Sequence, residues 1–220
     1  MGWGRVASVN VGSVRTVIWE GRSVRSAIWK APVSGRVAVR GVNADGDDQA
    51  NRDAHGGPDQ VLYAYALEDY DWWSAQLGQP LEPGTFGDNL TVTGIDVSGA
   101  LIGERWQAGG ILVEVSQPRI PCFKLGMRMG DPAFPRSFAA AGRPGVYLRL
   151  VGEGDVAAGD PVEVVTRPAH RLTAADVSRI YHTDRSEAAS LLDVPELSAT
   201  WREWARDHLA ASGRRRPRTD

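Results

Sequence analysis

The chain has 220 residues, 42% of them apolar and 24% charged, with a formal net charge of −2. That composition excludes a disordered chain and suffices for one packed domain, or one domain with a small appendage. Apolar runs break after a few residues, so no membrane span is expected, and the N-terminus lacks the apolar core of a signal peptide. The single cysteine, Cys122, excludes an internal disulfide framework and any multi-cysteine zinc or iron–sulfur site. A reducing cytoplasm is the expected location.

The charge is unevenly placed. The last eight residues, GRRRPRTD, carry a net +3, which leaves the first 212 at −5. A mildly acidic body is a poor match for duplex nucleic acid. The tail reads as a solvated terminus, with docking to nucleic acid or a protein partner as its other use. Arginine outnumbers lysine 23 to two, so Lys30 and Lys124 stand out by their scarcity.

In chain order, short β-branched or alternating segments separated by turn residues predict strands at Val6–Val9, Val14–Trp19, Ser26–Trp29 and Arg36–Arg40. Further strands are expected at Asn89–Val92, Gly103–Gln107, Ile111–Ser116, Val146–Val151 and Pro161–Thr166. A helix is predicted over Leu67–Leu77, closed by Gly78, and a shorter one over Phe134–Ala141. Many short strands among 25 glycines point to a mainly antiparallel β-barrel. Composition changes after Arg167-Pro168. Three short helices are expected beyond it, started by capping boxes at Thr173 with Asp176, Asp184 with Glu187, and Ser198 or Thr200 with Glu203. Trp201, Trp204, Ala205 and Leu209 recur at helical spacing as a packing face. The expected organisation is a barrel domain over 1–168, a three-helix unit over 169–212 that docks on the barrel or a partner, and a basic tail over 213–220.

Four segments carry candidate chemistry. In SQPRIPCFK, Cys122 follows Pro121 at the end of a strand, with Arg119 and Lys124 nearby; cations favour the thiolate that attacks electrophiles or binds soft metals. A lone cysteine is also commonly a small buried hydrophobe. In HGGPD, Gly56 and Gly57 let the backbone approach an anion, and His55 can donate a proton or contact a phosphate, or simply cap the turn. Asn89, in FGDNL, either bonds a ligand or holds a turn. Lys30 ends a predicted strand in AIWKAP, where a snorkelling surface lysine is the plainer use. Asp45, Asp47, Asp48 and Asp53 lack EF-hand spacing and read as solvated carboxylates. Phosphate-loop, dinucleotide, zinc-helix and nucleophile-elbow motifs are absent from the sequence. From residues alone the chain is a barrel with a poised thiol and an anion-friendly loop, and no reaction follows.

Taken in order, AIWKAP, DGDDQANRDAHGGPDQ, GTFGDNLTVTGI, SQPRIPCFKL, GVYLRLV and GDPVEVV resemble the MOSC-domain family, the C-terminal domains of molybdenum-cofactor sulfurases. The likeness is to the stand-alone bacterial branch that reduces N-hydroxylated purines such as 6-hydroxylaminopurine. LTAADVSRIYH through LSATWREWARDHL is similar to that branch's three-helix domain. Two positions depart from the pattern: Asp88 stands where the family more often has Glu, and Gly103-Glu104 replaces Gly-Asp.

The resemblance implies a MOSC-type β-barrel binding molybdenum cofactor (molybdopterin), with Cys122 as the thiolate ligand to molybdenum. It implies His55, Gly56 and Gly57 beside the pterin and its phosphate, with His55 as a proton donor. Lys30 and Arg119 would neutralise cofactor or substrate charge, and Asn89 and Gln117 would bond the pterin. The implied reaction reduces N–OH to N–H with loss of water. No flavin, haem or nicotinamide motif is present, so a separate flavin or iron–sulfur reductase would supply electrons, docking with a second copy of the chain as the other candidate on the three-helix unit. Two further readings stand beside the enzyme: a sulfur or cofactor carrier using a Cys122 persulfide, and a non-catalytic binding module with an inert thiol.

Overall fold

A computed structural model describes residues 3–48 and 56–214. The first part of the chain forms β1 (Trp3–Val11), the hairpin of β2 (Arg15–Trp19) and β3 (Arg22–Ser26), and three short strands, β4 (Ala31–Pro32), β5 (Val37–Arg40) and β6 (Asn43–Ala44). A 3-10 turn at Pro58–Gln60 leads into β7 (Leu62–Ala66), α1 (Leu67–Leu77) and β8 (Leu90–Thr93). Then follow β9 (Arg105–Ala108), β10 (Ile111–Pro118), α2 (Phe123–Met129), α3 (Phe134–Ala140), β11 (Val146–Gly152), β12 (Gly154–Val156) and β13 (Pro161–Thr166).

Seven strands close into a barrel in the order β13-β9-β10-β11-β7-β8-β1, with β1 pairing back onto β13 and β4 extending the far end of β1. Among the described residues every ladder is antiparallel except β7–β8, whose connection runs through α1. A parallel pair needs such a crossover, whereas antiparallel neighbours are joined by short turns. The expected β-barrel is therefore the observed fold.

Strand β7, LYAYA, is buried at all five positions. Leu62, Ala64 and Ala66 point into the barrel core, while Tyr63 and Tyr65 enter a second cluster with Tyr70, Trp73, Phe86, Leu125, Phe134 and Phe138. Full burial of each large apolar side chain contributes about 1.5–3 kcal/mol. This strand was not expected from sequence, because a strand covered on both faces shows no polar alternation. Helix α2 was likewise unread. The predicted strand Ser26–Trp29 is corrected too: pairing ends at Ser26, and Ala27–Lys30 turn inward without a ladder.

After β13, α4 (Ala174–His182), a 3-10 segment (Arg185–Asp193) and α5 (Ala199–Arg214) cover the barrel. Their Val177, Ile180, Leu191, Trp201 and Ala205, with Leu197 from the connection before α5, belong to the same buried cluster as the barrel interior. The capping box at Thr173 and Asp176 forms as read. The middle helix is 3-10 rather than α, and Asp184 makes no side-chain cap; its carboxylate instead accepts from Ser186 and faces Arg179. Of the basic tail expected over 213–220, Gly213 and Arg214 belong to the end of α5, and the rest lies outside the described residues. No helix among the described residues is long and apolar enough to cross a membrane.

Candidate functional site

The exits of β3, β6 and β10 meet the turns preceding β7 and β8 around an open cleft of about 740 Å³. Lys30, Asp47, Gly56, Gln60, Arg119, Cys122 and Lys124 line it. Ile28, Tyr63 and Tyr147 supply apolar wall. Both lysines of the chain thus face the same cavity.

Lys30 is held from three directions. The turn at Gly84 has φ +83°, and a Cβ there would sit 2.9 Å from the Lys30 carbonyl oxygen, so this close approach needs glycine. The Lys30 ammonium donates to both carboxylate oxygens of Asp47, with side-chain exposures of 9% and 2%. The Asp47 carboxylate also accepts from the Gly12 backbone N–H (2.9 Å) and from Asn89 Nδ2 (2.9 Å). Asp47 is therefore not the solvated carboxylate that its Asp-rich run suggested. Burial lowers the Lys30 pKa, and the Asp47 charge only partly restores it.

Asn89 faces the cleft but is fully engaged by protein. Its Oδ1 accepts from the Tyr63 N–H, and its Nδ2 is shared between Asp47 and the Asn10 carbonyl. It acts as a clamp joining β1, β7 and the Lys30–Asp47 pair. Behind it, the buried Asp88 carboxylate accepts from Tyr70, Thr91 and Asn10. Burial raises its pKa, opposed by the hydrogen bonds from Thr91 and Tyr70.

Arg119 follows the end of β10 and is 6% exposed. Its guanidinium lies over the rings of Tyr63 (5.1 Å) and Phe138 (5.5 Å), while Nη1 is buried without a hydrogen-bond partner among the described residues. Burial works against its charge, but Tyr63, Tyr147 and the Cys122 sulfur outweigh that and raise its pKa. Buried polar atoms are nearly always paired, so an orphaned guanidinium N–H on a cavity wall marks a place for an acceptor. Cys122 is partly exposed, in extended backbone (φ −117°, ψ 174°) immediately before α2, and its side chain caps nothing.

The cleft therefore gathers Lys30, Gly56, Asn89, Arg119 and Cys122 from the residues singled out in sequence. Gly57 lies beside it, at the start of the 3-10 turn, without lining it. Gln117 faces away: its Oε1 accepts from the Ser198 hydroxyl before α5, and it does not line the cavity. His55 lies outside the described residues. Tyr63 was missed, since nothing in a both-sides-buried strand marks one tyrosine as cavity wall, and Tyr147, on the partly buried β11, carries no local signal that it faces the cleft. Asp47 was missed because its partner is distant in sequence.

A MOSC domain family model matches residues 51–163. The YflK protein of Bacillus subtilis is 34% identical over 200 residues, covering 90% of each chain. A fungal protein named as a reductase, from Gibberella moniliformis, is 30% identical over 186 residues, 82% of this chain but 33% of its own length. The crystal structure of YiiM from Geobacillus stearothermophilus superposes with a TM-score of 0.79 at 34% identity, covering 94% of this chain and 99% of that one. The motif order, the barrel and these relatives agree: the chain belongs to the MOSC domain family.

Proposed function

We propose that the protein is a molybdenum-cofactor-dependent reductase that converts N-hydroxylated bases of the 6-hydroxylaminopurine kind to amines. The observation that supports this best is one cleft holding a partly exposed thiol beside a buried guanidinium with an unpaired N–H. The residues fit the cofactor. Cys122 offers the soft sulfur that molybdenum favours, and Arg119 offers a forked donor to an anionic group. No cluster of three His, Cys, Asp or Glu ligands occurs among the described residues, so the remaining metal ligands would come with the cofactor.

When bound, the cofactor supplies the two-electron chemistry. The chain's own residues do the rest. Ile28, Tyr63 and Tyr147 shield a flat heterocycle from water, and Asp47 and Asn89 hold Lys30 at the wall. The substrate N–OH takes up two electrons and two protons and leaves as N–H plus water. Lys30, whose proton is loosened by burial, donates to the departing oxygen, with His55 as the second donor. Electrons come from a separate flavin or iron–sulfur reductase. The fungal relative's name supports the oxidoreductase class.

The test is reduction of 6-hydroxylaminopurine by protein from a cofactor-competent host, driven by an artificial low-potential donor. Wild type should turn over, Cys122→Ala should lose activity, and Lys30→Met should fall by about 10²-fold. Undiminished turnover by Cys122→Ala would overturn the assignment.

A further inference from the structure

Four tyrosines belong to or pack against the second apolar cluster, and three of them commit their O–H to protein. Tyr63 donates to the Pro144 carbonyl (2.9 Å), Tyr65 to the Arg143 carbonyl (3.1 Å) and Tyr70 to the Asp88 carboxylate (2.5 Å). Tyr147 is the exception. It lines the cleft, and its O–H donates to no acceptor among the described residues.

The backbone aims it there. Val146 and Leu148 enter the barrel core, so Tyr147 between them faces the other way. The β10–β11 register slips between Val115 and Gln117, and Tyr147 pairs with Gln117, two residues before Arg119 and five before Cys122. Bulges of this kind re-aim side chains next to active sites. Ser116, the residue at the slip, is fully buried, and its hydroxyl is shared between the Asp59 carbonyl (2.6 Å) and the Tyr147 carbonyl (2.9 Å). On β7, Tyr63 pairs with Tyr147, and their rings lie 5.3 Å apart. Tyr147 is thus fixed by both neighbouring strands while its polar end stays free.

Polar groups withdrawn from bulk water are nearly always paired, so this O–H calls for an acceptor inside the cavity. The other donors there are differently placed. Arg119 and Lys124 are cations suited to anions, Lys30 is held by Asp47, and both ends of the Asn89 amide are engaged. A phenol is a neutral donor that keeps its proton at neutral pH. It suits an N–OH oxygen, which is uncharged at first and gains negative charge as the N–O bond breaks. The product amine presents N–H donors in that place and leaves the phenol unpaired.

We propose that Tyr147 is a catalytic residue of this cleft: its O–H donates to the hydroxyl oxygen of the substrate's N–OH group, favouring that group over the product amine and stabilising the oxygen as it departs. The inference rests on the reading of the cleft as the site of an N-hydroxylated base. Tyr147 keeps its own proton throughout, so the two electrons and two protons of the reaction are unchanged and Lys30 remains the donor to the leaving oxygen.

Tyr147→Phe, which retains the ring and removes only the hydroxyl, tests this in cofactor-loaded protein. Without an electron donor there is no turnover, and calorimetry should show wild type binding 6-hydroxylaminopurine about 2–10-fold more tightly than adenine. The variant should lose that preference. With an artificial donor its kcat should fall about 10²-fold, while KM rises less than about tenfold. Tyr65→Phe, which loses an O–H bond outside the cleft, should keep both the preference and the rate. A preference or a kcat that survives in Tyr147→Phe would overturn the proposal, as would equal losses in Tyr65→Phe, the mark of general loosening. The reading beneath it fails differently: wild type that does not turn over 6-hydroxylaminopurine contradicts the reductase, whereas turnover untouched by Tyr147→Phe contradicts only the role of Tyr147.

Discussion

Lys30 shows how one buried charge is made useful. In water its ammonium would hold its proton to about pH 10.4; in the cleft, burial pulls that value down while Asp47, Gly12 and Asn89 keep the pair in place. The folded chain therefore binds fewer protons than the unfolded chain as pH climbs toward the free lysine value, so Lys30 makes stability rise with pH through that window. Denaturant titrations between neutral pH and about pH 10 should show this rise in wild type and not in Lys30→Met. The variant should also lose about 3 kcal/mol, since Asp47 is left buried without its cation. Equal slopes in the two proteins would mean that Lys30 titrates as it would in water. The same pair marks what a sequence reader can reach: Lys30 was visible by rarity, but the role of Asp47 exists only once distant segments meet.

At the scale of elements, what was legible depended on whether the physical signal was local. Thr173 and Asp176 announce a helix start within four residues, and the reciprocal cap is there. Asp184 and Glu187 have the same spacing, yet Glu187 is drawn to Arg179 and the segment winds as 3-10. Thr173→Ala should therefore cost about 1 kcal/mol by denaturant midpoint, and Asp184→Ala no more than about 0.5. Equal losses would show that both caps operate. Strand β7 stayed hidden for the opposite reason, because its alternation is between two apolar surroundings. Gln117 was drawn from a resemblance and lies near the right loop, but Ser198 claims its amide oxygen.

Across the whole molecule, the barrel and the C-terminal helices share one buried cluster. Arg149 ties them further, donating to Asp59 before β7, to Glu114 on β10 and to the Glu196 carbonyl ahead of α5. The proposed boundary near Pro168 is thus a change of architecture within a continuous core. Thermal unfolding followed by far-UV and tryptophan signals should give a single coincident transition; two separated transitions would show that the helices fold apart from the barrel. The same helices anchor Gln117 and the end of β10, and so steady the loop that carries Arg119 and Cys122.

In the proposed function, Cys122 holds a molybdenum cofactor in this cleft. Metal and pterin content of wild type and Cys122→Ala, both purified from a cofactor-competent host, tests it most directly. Wild type should carry near-stoichiometric molybdenum and pterin, and the variant should lose the metal. Equal molybdenum in both proteins, or none in either, would contradict it.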